Sequence, residues 1–310
     1  MRLAVIDCGT NTFNLLIVDT PERGKYHKVF NTRLPVKLGE GAINEGFIAE
    51  VPFNRGISAL KKFRQYVDNH NVDQLLVFGT SAIRDARNGN DFVREVRDQL
   101  DINIEVIDGD REAELIYLGN REALQMTDDI SLIMDIGGGS TEFILADNCT
   151  VYWKQSYNLG AARLLDKFDP SSPVTEDEVA AMRNYLKVNL SPLFGKVLEF
   201  KPVELIGSSG AFDSVVEMIH GELGGEPLTK EKTGYDINIG DYNRISTLVK
   251  CSTLEERKNI KGLAPMRFDM IVISCIMIDF VLEELKLNKM RVSVYSLKEG
   301  ALLDFFGKQA

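Results

Sequence analysis

The stretch Asp135-Ile136-Gly137-Gly138-Gly139-Ser140-Thr141-Glu142 decides the fold that we expect for this chain of 310 residues. Apolar runs at 130–134 and 143–146 flank it, and their composition is typical of short strands. Three consecutive glycines lose more backbone entropy on folding than an ordinary hairpin turn requires. In return they leave backbone N–H groups that a phosphate can approach closely, and Ser140 and Thr141 add hydroxyl donors. The stretch therefore predicts a phosphate-binding turn between two strands.

The two acidic residues at the ends of this turn indicate a metal. Asp135 and Glu142 carry carboxylates, the ligands that Mg²⁺ or another hard divalent cation prefers. Neither a GxxxxGK[ST] P-loop nor a GxGxxG fingerprint occurs in the sequence. The pattern therefore predicts a metal-assisted phosphate site of a different type.

A lighter copy of the same pattern lies near the N-terminus. Asp7-Cys8-Gly9-Thr10-Asn11-Thr12 precedes an apolar run that ends at Asp19, as the run after the glycine triplet ends at Asp147. The two copies lie 128 residues apart (135 − 7). We interpret them as one repeated supersecondary unit, in which Gly9, Thr10, Asn11 and Thr12 form a second phosphate loop and Asp7 is a third candidate metal ligand. The repeat predicts two domains, residues 1–126 and 127–310, with a last helix that can pack back on the first domain.

Strands and helices alternate along the rest of the chain, which indicates an α/β fold. The pattern predicts further strands at 3–6, 15–19, 75–78, 104–107, 150–155, 203–206 and 291–295, and helices from 53 onward and at 92–100, 111–124, 210–220 and 298–306. A capping box, Thr175-x-x-Glu178, predicts one long helix that ends near Val197. Residues 221–240 hold five glycines and are interpreted as a loop or insertion.

The composition argues against several functional classes. The chain has 36 Lys and Arg against 46 Asp and Glu, a net charge of −10, so it lacks the positive field of a general DNA or RNA binder. Asp7 interrupts the first apolar run too early for a signal-peptide core, and the most apolar stretch, 270–281, is shorter than a membrane span. Four isolated cysteines without CxxC spacing indicate reduced thiols. We therefore expect a cytoplasmic protein that binds neither DNA nor membranes.

The two loops together resemble those of the actin, sugar kinase and heat-shock ATPase superfamily, and within it the exopolyphosphatase/guanosine pentaphosphatase (Ppx/GppA) family. The second loop matches the family pattern Asp-x-Gly-Gly-Gly-Ser-x-Glu in full, and the first keeps both hydroxyls of Asp-x-Gly-Ser-Asn-Ser. Further matches occur at 38–41, 80–86, 112–119, 159–164, 267–269 and 298–300. The resemblance implies an α/β fold in which two ribonuclease H-like (actin-like ATPase) domains face each other across a cleft. It also implies the short two-domain form of the family and raises a homodimer as the assembly.

The resemblance also implies roles for single residues. Glu112 matches the family's catalytic glutamate, the base that takes a proton from the attacking water, although its local sequence does not distinguish it from Glu114. Arg84 would donate to phosphate oxygens. The phosphate would also contact Gly137, Gly138, Gly139, Ser140, Thr141 and the loop Gly207-Ser208-Ser209-Gly210, after which Ala211 stands where the family usually has threonine. Lys37, Arg163 and Arg267 are weaker candidates for a substrate channel.

The activity implied in this way is Mg²⁺-dependent hydrolysis of a terminal phosphoanhydride. Inorganic polyphosphate is the first expected substrate, short chains included, because the short form lacks a region that could help to grip a long polymer. Guanosine pentaphosphate remains an alternative, since the attacked bond is the same. A small-molecule kinase with residues 207–210 in an adenosine pocket is a further hypothesis. A non-catalytic nucleotide-binding regulator is another, which the presence of Asp135, Glu142 and Glu112 disfavours.

Overall fold

Two sheets built on the same plan form the framework of the protein. The computed structural model describes residues 1–22, 25–229 and 231–308. The strands of the first sheet are Arg2–Cys8 (β1), Thr12–Glu22 (β2), Lys25–Pro35 (β3), Gln74–Gly79 (β4) and Glu105–Val106 (β5). Those of the second sheet are Ser131–Ile136 (β6), Thr141–Ala146 (β7), Val151–Tyr157 (β8), Leu205–Ser208 (β9), Gly234–Ile237 (β10) and Met290–Ser293 (β11). The strand orders are β3-β2-β1-β4-β5 and β10-β11-β9-β6-β7-β8.

Twelve α-helices in the described part of the chain cover and connect these sheets. In chain order they are Glu50–Asn69 (α1), Ser81–Asp85 (α2), Gly89–Leu100 (α3), Gly109–Leu124 (α4), Ala161–Phe168 (α5), Glu176–Asn189 (α6), Ser191–Phe200 (α7), Gly210–Leu223 (α8), Ile239–Cys251 (α9), Leu254–Arg257 (α10), Ile271–Glu284 (α11) and Leu297–Lys308 (α12). A short 3₁₀ helix, Pro265–Arg267, precedes α11.

The predicted repeat is present as two matching strand units. β1 pairs antiparallel with β2 and parallel with β4, and β6 pairs in the same two ways with β7 and β9. Asp7 lies opposite Asn14, and Asp135 lies opposite Glu142, so even the register is shared. The expected α/β class, with two sheet units built on one plan, is confirmed, while the division at residue 126 remains a prediction.

The central strands are buried on both faces, which explains their continuous apolar sequences. Along β1, Leu3 and Val5 join one core cluster whereas Ala4 and Ile6 join another, because successive side chains point to opposite faces. The first of these clusters also contains inner-face residues of β6 and β7 together with α4 and α12. These two helices therefore connect the two sheets, and they place the strand ends of both on one cleft.

The close crossing of α4 and α12 depends on two glycines. A Cβ on Gly300 would lie 1.7 Å from the Leu115 carbonyl oxygen, and a Cβ on Gly119 would lie 2.4 Å from that of Ser296. Both distances are shorter than any real Cβ contact, so no larger residue fits without separating the helices. This crossing fixes α4, whose first turn carries Glu112, relative to the C-terminal segment.

Three sequence predictions of local structure were wrong or incomplete. The capping box at Thr175 and Glu178 is present, but the predicted long helix is two helices that meet at Leu190. Pro192, in the first turn of α7, has no N–H to continue the ladder of α6. The predicted loop at 221–240 contains the end of α8 and the edge strand β10, although Lys230 within it lies outside the described residues. Strand β3 was not predicted.

Candidate active site

The first predicted phosphate loop follows β1 and has its carbonyl groups turned away from the cleft. The carbonyl oxygens of Thr10 and Asn11 accept hydrogen bonds from the backbone N–H groups of residues 36–39 at 2.6–3.4 Å. Across a trans peptide, a carbonyl and the N–H of the next residue point in opposite directions. The Asn11 N–H therefore faces the cleft. The side-chain nitrogen of Asn11 and the hydroxyl of Thr12 are buried and have no partner in the described part of the chain.

The glycine triplet of the second loop is arranged in the same way. The carbonyl oxygens of Gly137, Gly138 and Gly139 accept from backbone N–H groups of residues 160–163, at the start of α5, at 2.9–3.3 Å. The N–H groups of Gly138, Gly139 and Ser140 consequently face the cleft, and none of them has a backbone acceptor among the described residues. The carbonyl groups of each loop are thus hydrogen-bonded on the side away from the cleft, and the N–H donors face the cleft, as an anion site requires.

The two loops touch each other across the cleft. A Cβ on Gly138 would lie 3.0 Å from the Cβ of Thr10, and a Cβ on Gly139 would lie 2.5 Å from the hydroxyl of Ser81. Glycine is therefore required here for the approach of two chain segments that lie about 128 residues apart. A cavity of about 340 Å³ opens between the loops and is lined by residues from both sheets.

Four carboxylates form one wall of this cavity: Asp7, Glu112, Asp135 and Glu142, of which the last three are buried. Burial raises the pKa of Asp7 to about 6, against a hydrogen bond of 3.0 Å from the Asn14 amide. Burial also raises the pKa of Asp135 and of Glu142, and the charge of Asp135 raises that of Glu142 further. The site therefore concentrates acidic groups whose burial and mutual repulsion disfavour their ionised forms.

Glu112 lies in the first turn of α4, and the local sequence places it there. Asp108 caps this helix by accepting a hydrogen bond from the Arg111 N–H at 2.7 Å. The Glu112 side chain is buried, and its pKa is raised well above the usual range by burial and by the charge of Glu142. Arg84 opposes this shift through an ion pair of 2.8 Å. Arg84 contacts Glu112 and does not line the cavity itself.

A second wall carries the positive charge that the sequence could not locate. Lys28 and Arg33 come from β3, Arg267 from the 3₁₀ helix and Lys298 from α12. A Cβ on Gly210 would lie 1.9 Å from the Arg267 guanidinium, so this glycine makes room for the arginine. We name these four residues the cationic wall. Of these four residues, only Arg267 was a candidate from the sequence. Because β3 has few β-branched residues it was not predicted as a strand, and Arg33 was therefore not expected at the cavity.

Asp213 of α8 faces the cavity beside the cationic wall. One of its carboxylate oxygens is buried without a hydrogen-bond partner in the described structure. Burial raises its pKa to about 6, although the charges of Lys298, Arg267 and Arg33 act to lower it. No sequence signal pointed to this residue, because it occupies an ordinary position in a helix.

Most of the predicted site residues meet at the cavity, and a few do not. Its lining includes residues 9–12, residues 137–140, Ser209 and Gly210. Thr141 and Ser208 do not line it: Thr141 donates to the Leu159 carbonyl at 3.0 Å, and the Ser208 hydroxyl accepts from Asn120 at 3.3 Å. Gly207 lies under the ring of Phe212. Ser209 has the glycine-like backbone angles φ 70° and ψ −178°, and its hydroxyl donates to the Ile136 carbonyl.

The other two channel candidates also lie outside the cavity lining. Lys37 forms an ion pair with Asp269 at 3.2 Å. Arg163 contacts Gly139, Ile43 and Asp85. The structure therefore places both residues outside this cavity, and their part in a substrate channel remains a prediction.

A sequence model of the Ppx/GppA phosphatase family matches residues 17–309. The chain belongs to this family. A Ppx/GppA protein of this kind is a phosphatase, that is, a hydrolase. No described helix of this one is long and apolar enough to cross a membrane.

Several relatives are similar over nearly the whole chain. A crystal structure of an exopolyphosphatase from Cytophaga hutchinsonii is 40% identical, with a TM-score of 0.96 over 99% of this chain and 98% of that one. Exopolyphosphatase 2 of Mycobacterium tuberculosis is 29% identical over 99% of both chains. A bifunctional 3-dehydroquinate synthase/phosphatase of Fusobacterium nucleatum is 30% identical over 97% of this chain, which spans 46% of that protein. A family member from Aquifex aeolicus, at 24% identity and a TM-score of 0.81, shares the fold.

Proposed function

We propose that this Ppx/GppA protein hydrolyses the terminal phosphoanhydride of inorganic polyphosphate and requires a divalent cation. The observation that carries the proposal is the pair of loops whose N–H groups converge on a cavity with Glu112 on its wall. Relatives that cover nearly the whole chain are named exopolyphosphatases, which supports polyphosphate as the substrate.

The lining of the cavity favours polyphosphate over guanosine pentaphosphate. No described residue of the lining is aromatic, and its only apolar side chains are Ile116, Ile136, Val294 and Leu297. Inside this cavity a guanine base would find no ring to stack on, whereas a phosphate chain needs only donors and positive charge. The aromatic residues Tyr26, Phe30 and Tyr295 line a neighbouring cavity that shares Lys28 with this one. The kinase hypothesis needs room for an adenosine beside residues 207–210. The ring of Phe212 fills the space next to Gly207, which argues against such a pocket.

The carboxylates on the cavity wall fit a divalent cation. The lining holds six carboxylates against the four residues of the cationic wall, so a polyanion would enter a cavity whose own charge is negative. Within the described residues, no group of three or more His, Cys, Asp or Glu side chains is placed to hold a metal alone. Asp135 and Glu142, with Asp7 as a third candidate, would hold the ion together with oxygens of the substrate, as is common for Mg²⁺. When bound, the ion neutralises charge on the terminal phosphate.

Different groups of the protein would bind the phosphates and transfer the proton. The loop N–H groups hold the terminal phosphate from two sides, and the cationic wall binds the phosphates behind it. Glu112 accepts a proton from a water whose oxygen bonds to the terminal phosphorus, while the bridging P–O bond breaks. Orthophosphate and a chain shortened by one phosphate are released. Glu112 must be ionised to accept this proton, and its ion pair with Arg84 at 2.8 Å favours the ionised form and fixes the direction of the carboxylate.

The role of Glu112 is tested against a neighbour on the same helix. Glu112→Gln should lower kcat for phosphate release from polyphosphate by about 10²- to 10⁴-fold, because it removes the base and keeps the shape. Glu114→Gln is the control, since Glu114 pairs with Arg111 and Lys154 and does not line the cavity. We expect that control to stay within about twofold of the native rate, as surface changes usually do. A Glu112→Gln enzyme with more than about a tenth of native kcat would refute the assignment of the base.

A further inference from the structure

Arg163 makes three hydrogen bonds that join the second loop to the N-terminal half of the chain. Its Nε donates to the Gly139 carbonyl at 2.9 Å, one terminal nitrogen donates to the Ile43 carbonyl at 3.1 Å, and the other donates to Asp85 at 3.1 Å. Its side chain is 14% exposed. All three bonds end on protein acceptors, so the guanidinium is directed into the protein and not toward a substrate.

Asp85 continues this connection toward the proposed base. The carboxylate oxygen that accepts from Arg163 also accepts from the Ser81 hydroxyl at 3.0 Å. Its other oxygen accepts from Arg84 at 3.3 Å, and Arg84 donates to Glu112 at 2.8 Å. An unbroken series of polar contacts therefore runs from the glycine loop to Glu112, and it crosses between the two halves of the chain at Arg163.

We propose that Arg163 is a positioning residue that aligns the glycine loop with the Arg84–Glu112 pair, an inference that rests on the proposed function for its kinetic meaning. By holding the Gly139 carbonyl outward, Arg163 directs the Ser140 N–H into the cavity. By holding Asp85, it limits how strongly that carboxylate draws Arg84 away from Glu112. One side chain thus positions the Ser140 N–H directly and Glu112 through Asp85 and Arg84.

This role predicts a particular kinetic signature. The contacts of Arg163 affect groups that act on the terminal phosphate, while the cationic wall that binds the rest of the substrate is left intact. Loss of Arg163 should therefore lower kcat and leave KM nearly unchanged. If Arg163 bound the substrate directly, its loss would raise KM instead. Lysine should not restore the native rate, because one ammonium cannot span three acceptors that a planar fork reaches.

The test compares Arg163→Gln and Arg163→Lys with Arg291→Gln. Arg291 is a matched control: its side chain is 15% exposed, it bonds to Glu204 and to the Leu124 carbonyl, and it lies outside the cavity lining. We expect both Arg163 variants to lose about 10- to 100-fold in kcat, with KM within about threefold of native. Arg291→Gln should lower Tm at least as much as either and keep native kcat. A rise in KM with unchanged kcat, or an equal kcat loss in Arg291→Gln, would overturn the proposal.

A second measurement does not depend on hydrolysis. Amide hydrogen exchange of the peptides that contain residues 137–140 and 79–86 should be faster in Arg163→Gln than in the native protein, and unchanged in Arg291→Gln. The double variant Asp85→Asn/Arg163→Gln should exchange no faster there than the single one, because both changes break one connection. Native exchange in Arg163→Gln would refute the positioning role. If the native enzyme released no phosphate from polyphosphate, the proposed function would fail while this exchange result still decided the role of Arg163.

Discussion

At the residue scale, Asp213 shows that a buried charge in the cavity destabilises the folded protein. Its pKa of about 6 exceeds the value of about 3.9 expected in the unfolded chain. The folded state therefore binds the proton more tightly, and the stability this contributes is present below about pH 4 and is lost as the pH rises through 6. Above that pH the folded protein carries a buried, ionised carboxylate at a cost of up to about 3 kcal/mol.

Asp213→Asn should consequently stabilise the protein only above about pH 4, with the full gain reached above pH 6. We expect the variant to have a higher Tm than the native protein at pH 8, and the difference to close as the pH falls from 6 to 4. Thermal unfolding followed by circular dichroism at four pH values measures this. A variant that is less stable than the native protein at pH 8 would show that Arg33, Arg267 and Lys298 need this carboxylate more than its burial costs.

At the scale of elements, the close crossing of α4 and α12 depends on Gly300 and fixes the position of α4, the helix that carries the proposed base. Gly300→Ala should destabilise the protein by about 3 kcal/mol, since its methyl group would meet the Leu115 carbonyl. Gly195→Ala is the matched control, because Gly195 also lies in a helix but has nothing within 4 Å of a built Cβ. That change should stabilise by about 0.5–1 kcal/mol. Urea unfolding compares the two, and similar effects of both would contradict the packing described.

The sequence predicted elements well where one local pattern was sufficient. The paired strands around Asp7 and Asp135 follow from apolar runs that flank polar turns, and α4 follows from its helical period. Strand β3 was missed because its own composition is largely polar, although it pairs with the preceding strand β2. Strand β10 was missed because it is short and pairs with β11, which lies more than 50 residues further along the chain. The break at Leu190 was missed because the helical period continues through Pro192.

At the scale of the whole molecule, the site is formed by segments that lie far apart in the sequence, so local sequence patterns do not predict that they meet. Both loops and both acids of the second loop were predicted, because each loop consists of consecutive residues whose types indicate phosphate or metal binding. Three members of the cationic wall were not, since Lys28, Arg33 and Lys298 reach the cavity only through strand pairing and helix packing. Glu112 was proposed through resemblance alone, and the structure places its carboxylate on the cavity wall, buried and repelled by Glu142.

The charge balance of the cavity predicts that a divalent cation stabilises the protein when a phosphate chain is bound with it. Binding to the native state alone raises stability by about 2.7 kcal/mol at 100 times the dissociation constant. We expect Mg²⁺ and tripolyphosphate together to raise the Tm of Glu112→Gln at pH 8 more than either does alone, and to lose this joint effect when Asp135→Asn and Glu142→Gln are added. Hydrolysis should stop when the metal is removed with a chelator and return when it is restored. Activity that survives complete chelation would refute the metal role of these carboxylates.

The most direct test of the central claim is the release of phosphate from four substrates in parallel. Long polyphosphate, tripolyphosphate, guanosine pentaphosphate and ATP would be offered with Mg²⁺ at equal concentrations of cleavable ends. The cavity, with its donors and cations but no aromatic lining among the described residues, predicts that the two polyphosphates release phosphate far faster than the two nucleotides. Faster release from guanosine pentaphosphate, or none from any of the four, would contradict the proposal that this protein is an exopolyphosphatase.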